Sequence, residues 1–568
     1  MRTLRNVSRR VLAGILGAAV LAWSVGAARA AEPVVLGCGS ALNLKALMGK
    51  VGALAEKFVP GTGQQAMGMG AMIFQNPEWA GVDWTKPATV VLFGGKAFGK
   101  TEPVPVVLVT LADPAQFKNA HPEGGPASYE VRDNMAIVAQ EKAAVAAITP
   151  QRFDLYSKYP KIAGTSDLYI TVYVAQAIHE YQSDIDEGLK EAEKDAAGVQ
   201  AAGPMAMAGK MIKVAAPLVA LAGKEARRAT LMLQLDENAI GITGRLYCEP
   251  DSALGTFFAG QPTETSDLAK YLPADVVIGA SGKLDLTKAK PLIEAVLKAI
   301  APPLELSAED QDKVRSLIFA STQTGEFAVG VAGGAHQGMQ TVQVARIADP
   351  AKFRAAAKDG LDWVMKSGLN TMLQGMGVQM TVDYKPAFRE YKGVPVDRLT
   401  LTVAQAPGGQ PNPAMPQTPP QLTEIAAIDT IGMASSNNPE GDLVNDVIDR
   451  VKGGGGPSLE TSAAYKAATA AAPKGADTVG AFLFNSALAK LIEEVGKQQP
   501  GIALMAGGLI KPDPTEEPIT THSAFGADRV DFGIRIPHQP LLSLATRIRA
   551  MVQQQQAPGP KPKKEDDF

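Results

Sequence analysis

One motif occurs twice in this chain, and the repetition constrains the fold more than any other feature. An apolar run ends in Ala-Asp-Pro-Ala-x-Phe at residues 102–117 and again at residues 338–353. Asp before Pro is typical of a helix start, because its carboxylate accepts hydrogen bonds from the first backbone N–H groups and Pro lacks an N–H that would stay unpaired. We therefore expect two diverged copies of one unit. The marker residues are Asp113, Pro114 and Phe117 in the first copy, and Asp349, Pro350 and Phe353 in the second.

A short apolar strand followed by an amphipathic helix occurs four times, twice in each proposed copy. Self-similarity over such a long period indicates an internal repeat. Strands alternate with helices but also pair through hairpins. The predicted fold class is therefore α+β, with two homologous units that each form a mixed or antiparallel sheet covered by helices on one face. The four strands are predicted at Pro33–Cys38, Asp167–Val174, Leu272–Ala280 and Asp477–Phe484.

The length and the insertions define the expected domains. A chain of 568 residues is too long for one hydrophobic core. The second copy is expected to carry a longer helix near Leu361–Met376 and an exposed Pro-rich loop over residues 406–422, which separates the predicted strands Arg389–Val403 and Thr423–Ser435. The predicted division is a signal peptide at 1–30, unit A at 31–262, unit B at 263–552 and a disordered tail at 553–568.

The first thirty residues resemble an export signal. They hold five Arg and no acidic residue, with an apolar run at Val11–Ala28 and a small-x-small cleavage site at Ala28–Ala30. Ser8–Leu12 also resembles the twin-arginine signal, so both export routes remain open. Beyond this segment the chain has 50 basic and 58 acidic residues, a net charge of −8, which argues against nucleic acid as a partner. We expect a periplasmic or secreted protein with no later membrane-spanning segment.

Two cysteines, Cys38 and Cys248, lie beyond the predicted signal. An oxidising compartment permits a disulfide between them, and two buried free thiols are the alternative. Val35–Cys38 also resembles a lipid-attachment box, but Cys38 lies ten residues past the apolar run that such a box should adjoin.

Gly94–Thr101 matches the phosphate-binding pattern G-x-x-x-x-G-K-[ST] and follows a predicted strand. Such a loop must lead into a helix whose N-terminus faces the phosphates. Here residues 102–108 are extended instead, and the corresponding segment Gly333–Gly338 has no Lys followed by Ser or Thr. We interpret both segments as hairpin connections and predict no cofactor.

The sequence offers no metal or catalytic pattern that we can assign. The five histidines are scattered, and none lies at metal-ligand spacing from another His, a Cys or an acidic cluster. His522 and His538 flank one predicted strand, which leaves open whether they lie together or are two separate surface residues. No Gly-x-Ser-x-Gly nucleophile elbow occurs. The histidines are His121, His179, His336, His522 and His538.

Met- and Ala-rich stretches occur in both proposed units. They lie around Met67–Met72, from Met205 to Leu221, and at Ile502–Leu509. Met-rich surfaces can adapt to an apolar ligand, although Met also fills irregular cores. These stretches therefore leave both an apolar binding surface and ordinary core packing open.

The order of the motifs resembles a poorly characterised family of exported bacterial proteins, a domain of unknown function. The resemblance rests on a Leu-Pro-Ala-Asp strand start at Leu272–Asp275, the two Asp-Pro-x-x-Phe helix starts, a Tyr-x-Gly-Val strand at Tyr391–Val394, and a Gly-rich end at residues 453–459. It covers most of residues 33–550, but the first unit lacks the Tyr-Lys-Gly and Gly-rich elements. The resemblance implies no catalytic residue.

We expect an exported envelope protein with a non-enzymatic binding or structural role, because export and duplication are indicated and no catalytic set converges. The expected partner is a protein or an apolar ligand in the cell envelope. A carrier or chaperone for an apolar ligand such as a lipid is one alternative. A hydrolase whose residues converge only in three dimensions is another.

Overall fold

The computed structural model describes most of the chain after the predicted signal peptide. Residues 1–32, the methionines of the Met-rich stretches, most of the Pro-rich loop and the tail beyond residue 556 lie outside the described residues. The described residues are 33–65, 68, 76, 79–122, 127–161, 166–198, 217–302, 306–321, 325–333, 339–366, 378–405, 420–437, 442–498, 513 and 515–556.

The first half of the chain contains eight strands and six helices among its described residues. The strands are β1 Val35–Ala41, β2 Ala88–Phe93, β3 Val104–Thr110, β4 Ser128–Arg132, β5 Met135–Ala139, β6 Leu168–Val172, β7 Ala226–Leu235 and β8 Ala239–Cys248. The helices are α1 Leu44–Phe58, α2 Pro114–Ala120, α3 Lys142–Ala146, α4 Pro150–Ser157, α5 Val174–Gly198 and α6 Ala253–Ala259.

The second half contains ten strands and seven helices among its described residues. The strands are β9 Ile278–Lys283, β10 Glu326–Gly333, β11 Met339–Arg346, β12 Val378–Tyr391, β13 Val394–Gln405, β14 Gln421–Ile428, β15 Ile431–Ser436, β16 Thr478–Phe482, β17 Ile519–Phe525 and β18 Arg529–Pro537. The helices are α7 Lys290–Ile300, α8 Ala308–Ser321, α9 Pro350–Lys366, α10 Asp442–Val451, α11 Ala463–Ala471, α12 Phe484–Gln498 and α13 His538–Gln556. Helix α13 therefore extends four residues into the predicted disordered tail.

All these strands belong to one antiparallel sheet, which confirms the α+β class. From one edge to the centre the order is β4-β5-β3-β2-β1-β6-β7-β8. From the other edge it is β12-β13-β14-β15-β11-β10-β9-β16-β17-β18. Strands β8 and β18 pair with each other at the centre. Apart from the outer hairpin β12–β13, the two halves thus have the same strand order.

Helices cover both faces of the sheet, so the prediction of one covered face is wrong. On β3, Val106 and Leu108 belong to a core that includes Phe153 of α4. Val109, on the opposite face of the same strand, packs in a separate core with Phe117 of α2. The physical reason is that β3 is apolar along nearly its whole length. Successive side chains of a strand point to opposite faces of the sheet, so β3 has apolar side chains to bury on both faces.

The strands of the second half are shorter than predicted and more numerous. The predicted strand Arg389–Val403 is part of a hairpin, since the chain turns at Lys392 and Gly393 with φ values of 50° and 78°. Two consecutive positive φ angles are typical of the type I′ turn that joins antiparallel strands. The predicted strand Thr423–Ser435 also turns back on itself, between β14 and β15. The hairpin β14–β15 therefore occupies the place of β4–β5, and β12–β13 is additional.

Two predicted boundaries in this region also change. Strand β14 begins at Gln421, so the connection after β13 ends earlier than the predicted loop of residues 406–422. Helix α9 runs without interruption from Pro350 to Lys366. The part of the predicted helix Leu361–Met376 that is described therefore continues the motif helix.

The repeated motif starts a helix in both halves. The Asp113 carboxylate accepts hydrogen bonds from the N–H groups of Ala115 and Gln116, both at 2.9 Å. The Asp349 carboxylate does the same for the two corresponding N–H groups, at 2.9 and 3.1 Å. Phe117 is fully buried, whereas Phe353 is partly buried.

Other hydrogen bonds occur at corresponding positions of the two halves. The Asp167 carboxylate accepts the N–H of Leu235 at 2.7 Å, at the end of β7. The Asp477 carboxylate accepts the N–H of Phe525 at 3.0 Å, at the end of β17. Each of these aspartates comes directly before a strand, β6 or β16, and ties it to the next strand of the sheet. Within the described residues, no helix combines the length and the apolar character needed to cross a bilayer.

Candidate functional site

The segment Gly94–Thr101 connects two antiparallel strands and makes only one short 3-10 turn, at Lys96–Phe98. The Lys96 ammonium donates to the Glu180 carbonyl and lies 3.3 Å from the Asp184 carboxylate, and both partners belong to α5. The Gly95 N–H donates to the Tyr181 hydroxyl. This connection therefore ties α5 to the end of the β2–β3 hairpin.

The disulfide expected as one option between Cys38 and Cys248 does not form, and both side chains are buried free thiols. The strand register gives the reason. Cys38 on β1 lies opposite Thr171 on β6, and Thr171 lies opposite Thr230 on β7. Thr230 in turn lies opposite Arg245 on β8, the strand that ends at Cys248. Three strand spacings amount to about 14 Å, twice the separation of about 7 Å at which Cα atoms can still be bridged.

The histidines do not form a metal site within the described residues. No group of three or more His, Cys, Asp or Glu side chains there could hold a metal ion. His522 lies opposite Gly533, five residues before His538, so the two histidines are roughly 17 Å apart along β18. His179 is exposed, and the Nδ1 atom of His121 contacts the Phe117 carbonyl at 3.0 Å. His336 lies outside the described residues.

The start of α13 meets the turn between β7 and β8, which brings the end of the second half onto the first. The His538 N–H donates to the Asn238 carbonyl at 2.7 Å, and its Nδ1 atom lies 3.1 Å from the Glu237 carbonyl. The Lys57 ammonium, in the last turn of α1, donates to the same Glu237 carbonyl. The ring of Phe58 packs edge-on against the imidazole, with 6.5 Å between the ring centroids.

A cavity of about 590 Å³ opens at this contact, which we call the junction cavity. Its lining includes three cationic side chains, two carboxylates, one imidazole, four neutral polar side chains and a single aliphatic residue. The Arg535 guanidinium is paired with the Glu517 carboxylate at 2.6 Å. The lining residues are Lys57, Glu237, Asn238, Glu517, Arg535, His538, Gln539, Leu542, Ser543, Thr546 and Arg547.

His538, one of the residues that line this cavity, carries a buried nitrogen without a hydrogen-bond partner. The residue is only 4% exposed, and its Nε2 atom has no hydrogen-bond partner. Because a carbonyl oxygen can only accept, the contact with Glu237 requires a proton on Nδ1, which leaves the Nε2 lone pair as an acceptor in the neutral ring. A buried polar atom without a partner costs about 1–3 kcal/mol. Because the Nε2 atom is itself buried, this unpaired acceptor is not exposed to the cavity.

The corresponding position at the other end of the central strand pair carries a different residue. There the Cys248 N–H donates to the Asp528 carbonyl at 2.9 Å, just as the His538 N–H donates to Asn238. Helix α6 follows that position with 7 residues, whereas α13 has 19. The two ends of the junction therefore share a backbone pattern but differ in chemistry, and the histidine cavity occurs at one of them.

No described histidine has a hydrogen bond to the side chain of a Ser, Thr or Cys. His121 and His538 both contact backbone carbonyls through Nδ1. The sequence leaves open whether His538 lies near His522, and nothing in it connects His538 with Lys57 or Glu237. The residues of the junction cavity come from four separate parts of the chain, so no local spacing marks them as a set.

Comparisons with protein-family models, with curated proteins and with solved structures find no match for this chain.

Proposed function

We propose that this chain is an exported envelope protein, built from two copies of one α+β unit, that binds a small polar ligand where the copies meet. The observation that carries the binding proposal is the junction cavity, where charged and polar side chains from both halves converge. A concave site with a few converging polar groups is the usual form of a small-molecule site. The proposal keeps the non-enzymatic binding role that is expected from the sequence.

The shared strand order of the halves supports the duplication. Eight strands pair in the same sequence on either side of the β8–β18 contact, and the Asp-Pro helix starts fall on corresponding connections. The matched roles of Asp167 and Asp477 support it further. Two copies that meet edge to edge through equivalent strands have the geometry of a two-fold dimer fused into one chain.

The export part of the proposal rests on the N-terminal Arg residues, the apolar run and the cleavage site at Ala28–Ala30. It places the mature chain in the periplasm or outside the cell. The resemblance to exported bacterial proteins of unknown function supports the same location.

Native mass spectrometry of the mature protein, purified gently from its own envelope fraction, tests the binding proposal. We expect extra mass that leaves on collisional activation and that is absent from the variant Leu542→Trp, whose larger side chain fills part of the junction cavity. Leu491→Trp is the matched control, because Leu491 is 43% exposed and does not line the cavity. A bare mass in the natural protein, or equal extra mass in both variants, would contradict a ligand in this cavity.

A carrier for an apolar ligand is the second candidate, and one surface favours it. Strand register places Leu231, Gly244 and Phe532 side by side on one face of β7, β8 and β18, with Ile534 on the same face. Leu231, Phe532 and Ile534 are 42%, 44% and 38% exposed. Several neighbouring exposed apolar side chains are typical of an interaction surface. Native mass spectrometry would favour this candidate if the recovered ligand is a lipid. The lipid should then be absent from Phe532→Ser and still present in Leu542→Trp.

A further inference from the structure

We infer that the sheet carries a second binding surface, which fits an acidic segment of a partner protein. None of its residues lines the junction cavity, so the inference goes beyond the proposed function and does not depend on it. The surface lies on three neighbouring strands, β7, β8 and β18. We call it the arginine patch, and it consists of Arg228, Arg245 and Arg529 with Tyr247 and Asp531.

Strand register brings the side chains of the arginine patch together. Arg245 on β8 lies opposite Asp531 on β18. Two residues further along β8, Tyr247 lies between Arg228 on β7 and Arg529 on β18. Residues directly opposite each other, and residues two positions apart on one strand, share a face of the sheet. All five side chains therefore stand on the same face.

This part of the sheet is open to solvent. The row that contains Arg245 continues through Thr230 and Thr171 to Cys38, which belongs to the core under α4. Among the described residues, no buried member of that core comes from β8 or β18. The side chains of Arg245 and Arg529 are 37% and 44% exposed. A partner can therefore reach their guanidinium groups.

The arginine patch has a surplus of two positive charges, because it holds three guanidinium groups and one carboxylate. Arg245 and Arg529 share the Asp531 carboxylate, with Nε–Oδ1 distances of 3.2 and 3.3 Å. Within the described part of the chain, the Arg228 guanidinium has neither an ion pair nor a hydrogen bond. It stacks on the Tyr247 ring, with 4.0 Å between its central carbon and the ring centroid.

The sign of this local charge is opposite to that of the whole chain, which carries more acidic than basic residues. An acidic partner is therefore attracted by the arginine patch and not by the molecule as a whole. The two acidic residues beside the ends of these strands already have partners. Asp528 pairs with Arg227 at 3.4 Å, and the buried Glu225 accepts the Leu254 N–H at 2.9 Å.

The residue types and their spacing favour carboxylates on an extended segment. A guanidinium that stacks on an aromatic ring keeps the N–H groups at its edge for a carboxylate. The Nε atom of Arg228 is buried, whereas the residue as a whole is partly exposed, so its terminal nitrogens are the donors. Arg228 and Arg529 are two strand spacings apart, about 9.5 Å, which several Asp or Glu side chains span better than one small anion. Tyr and Arg are also enriched at protein interfaces.

Fluorescence anisotropy of a labelled hexaglutamate peptide, titrated at low salt with the mature full chain, tests the inference. We expect a Kd in the millimolar range or tighter, binding that weakens as salt screens the charges, and no binding of a hexaserine peptide. Failure of hexaglutamate to bind would overturn the inference. So would binding of phosphatidylglycerol vesicles or of inorganic phosphate in its place.

Three variants connect the binding to the arginine patch. Arg228→Gln removes the guanidinium that has no partner and should weaken hexaglutamate binding about tenfold. Asp531→Asn removes the only carboxylate of the patch and should tighten binding about threefold, a gain that a misfolded variant would not show. Arg315→Gln on α8 is the matched control, because its guanidinium already pairs with Glu294 and Asp312, and binding should not change. Unchanged binding in both Arg228→Gln and Asp531→Asn would refute the assignment.

Discussion

Asp397 offers a stringent test of what holds the additional hairpin β12–β13 to the sheet. Its side chain is fully buried, and it accepts hydrogen bonds from both sides. Arg354 of α9 donates to both carboxylate oxygens, with Nε at 2.7 Å from Oδ2. The Tyr384 hydroxyl and the Ala387 N–H, both on β12, donate as well. One carboxylate thus joins the hairpin to the helix that covers it.

Asp397→Asn should destabilise this region by about 3 kcal/mol. The substitution keeps the shape of the side chain but removes its negative charge. It also replaces one accepting oxygen with an NH₂ group, which faces the groups that donate to Asp397. Loss of one partner from a buried ion pair costs about 3–5 kcal/mol. We take the lower end because the Arg354 side chain is 24% exposed, so water can solvate part of its guanidinium. At about 1.4 kcal/mol per factor of ten, this raises the open population of the hairpin roughly 150-fold.

Hydrogen exchange measured by mass spectrometry on peptides from 378–405 reports this opening directly. The matched control is Asp383→Asn on the same hairpin, where the aspartate is 59% exposed and pairs with Lys385 at 3.2 Å. An exposed pair contributes about 0–1 kcal/mol, so this control should change exchange by only a few fold. Equal effects of the two substitutions would refute the reasoning that burial and hydrogen bonding make the Asp397 pair important.

The same carboxylate predicts an acid dependence. Burial by itself raises the pKa of Asp397, but hydrogen bonds from Arg354, Tyr384 and the Ala387 N–H outweigh it and hold the pKa below its ordinary value. A lowered folded pKa stabilises the protein above the unfolded pKa of about 3.9 and loses that contribution as the pH falls through the folded value. The stability gap between the natural chain and Asp397→Asn should therefore be full at pH 7 and shrink below about pH 4. A gap that stays constant in acid would contradict this.

Three further outcomes follow from the structure. Asp113→Ala and Asp349→Ala each remove the acceptor at a helix start and should lower stability by about 1 kcal/mol in urea unfolding; no shift in either would show that these caps contribute nothing. Phe117→Ala should lower the free energy of unfolding by about 3–5 kcal/mol in the same assay, because the ring is 0% exposed. A decrease below about 1 kcal/mol would mean that neighbouring side chains fill the space that the ring leaves. Cys38 and Cys248 should resist thiol reagents in the folded protein at pH 8 and react in denaturant, since burial raises the pKa of each thiol to about 11; an intact mass lower by two hydrogens would instead show a disulfide.

Local sequence patterns predicted the elements that depend on near neighbours. The Asp-Pro helix starts at Asp113 and Asp349 form as expected, because a cap needs only residues two or three positions away. The antiparallel pairing of β2 with β3 was also predictable from a Gly-rich connection between two apolar runs. The turn at Lys392–Gly393 was missed because Tyr-x-Gly-Val was interpreted as a continuous strand, although Lys-Gly between two alternating runs could have indicated a hairpin.

Features that depend on distant parts of the chain were not predictable in the same way. The apolar run of β3 could have been buried on one face or on both, and only the packing of α2 and α4 on opposite sides decides this. Helix α11 was not predicted, although Tyr465 and Ala468, three residues apart, are buried on one face of it. The junction cavity was missed because the register between β8 and β18 brings His538 to the β7–β8 turn.

The sequence by itself determined that one helix start occurs twice in this chain and that its strands alternate with helices. These are properties of neighbouring residues, and hydrogen bonds or side-chain alternation over a few positions express them. The tertiary structure alone decided that the described strands join into one sheet, that Cys38 and Cys248 lie too far apart to bond, and that His538 meets Lys57 and Glu237. Contacts of this kind depend on strand register across hundreds of residues, which no local pattern specifies.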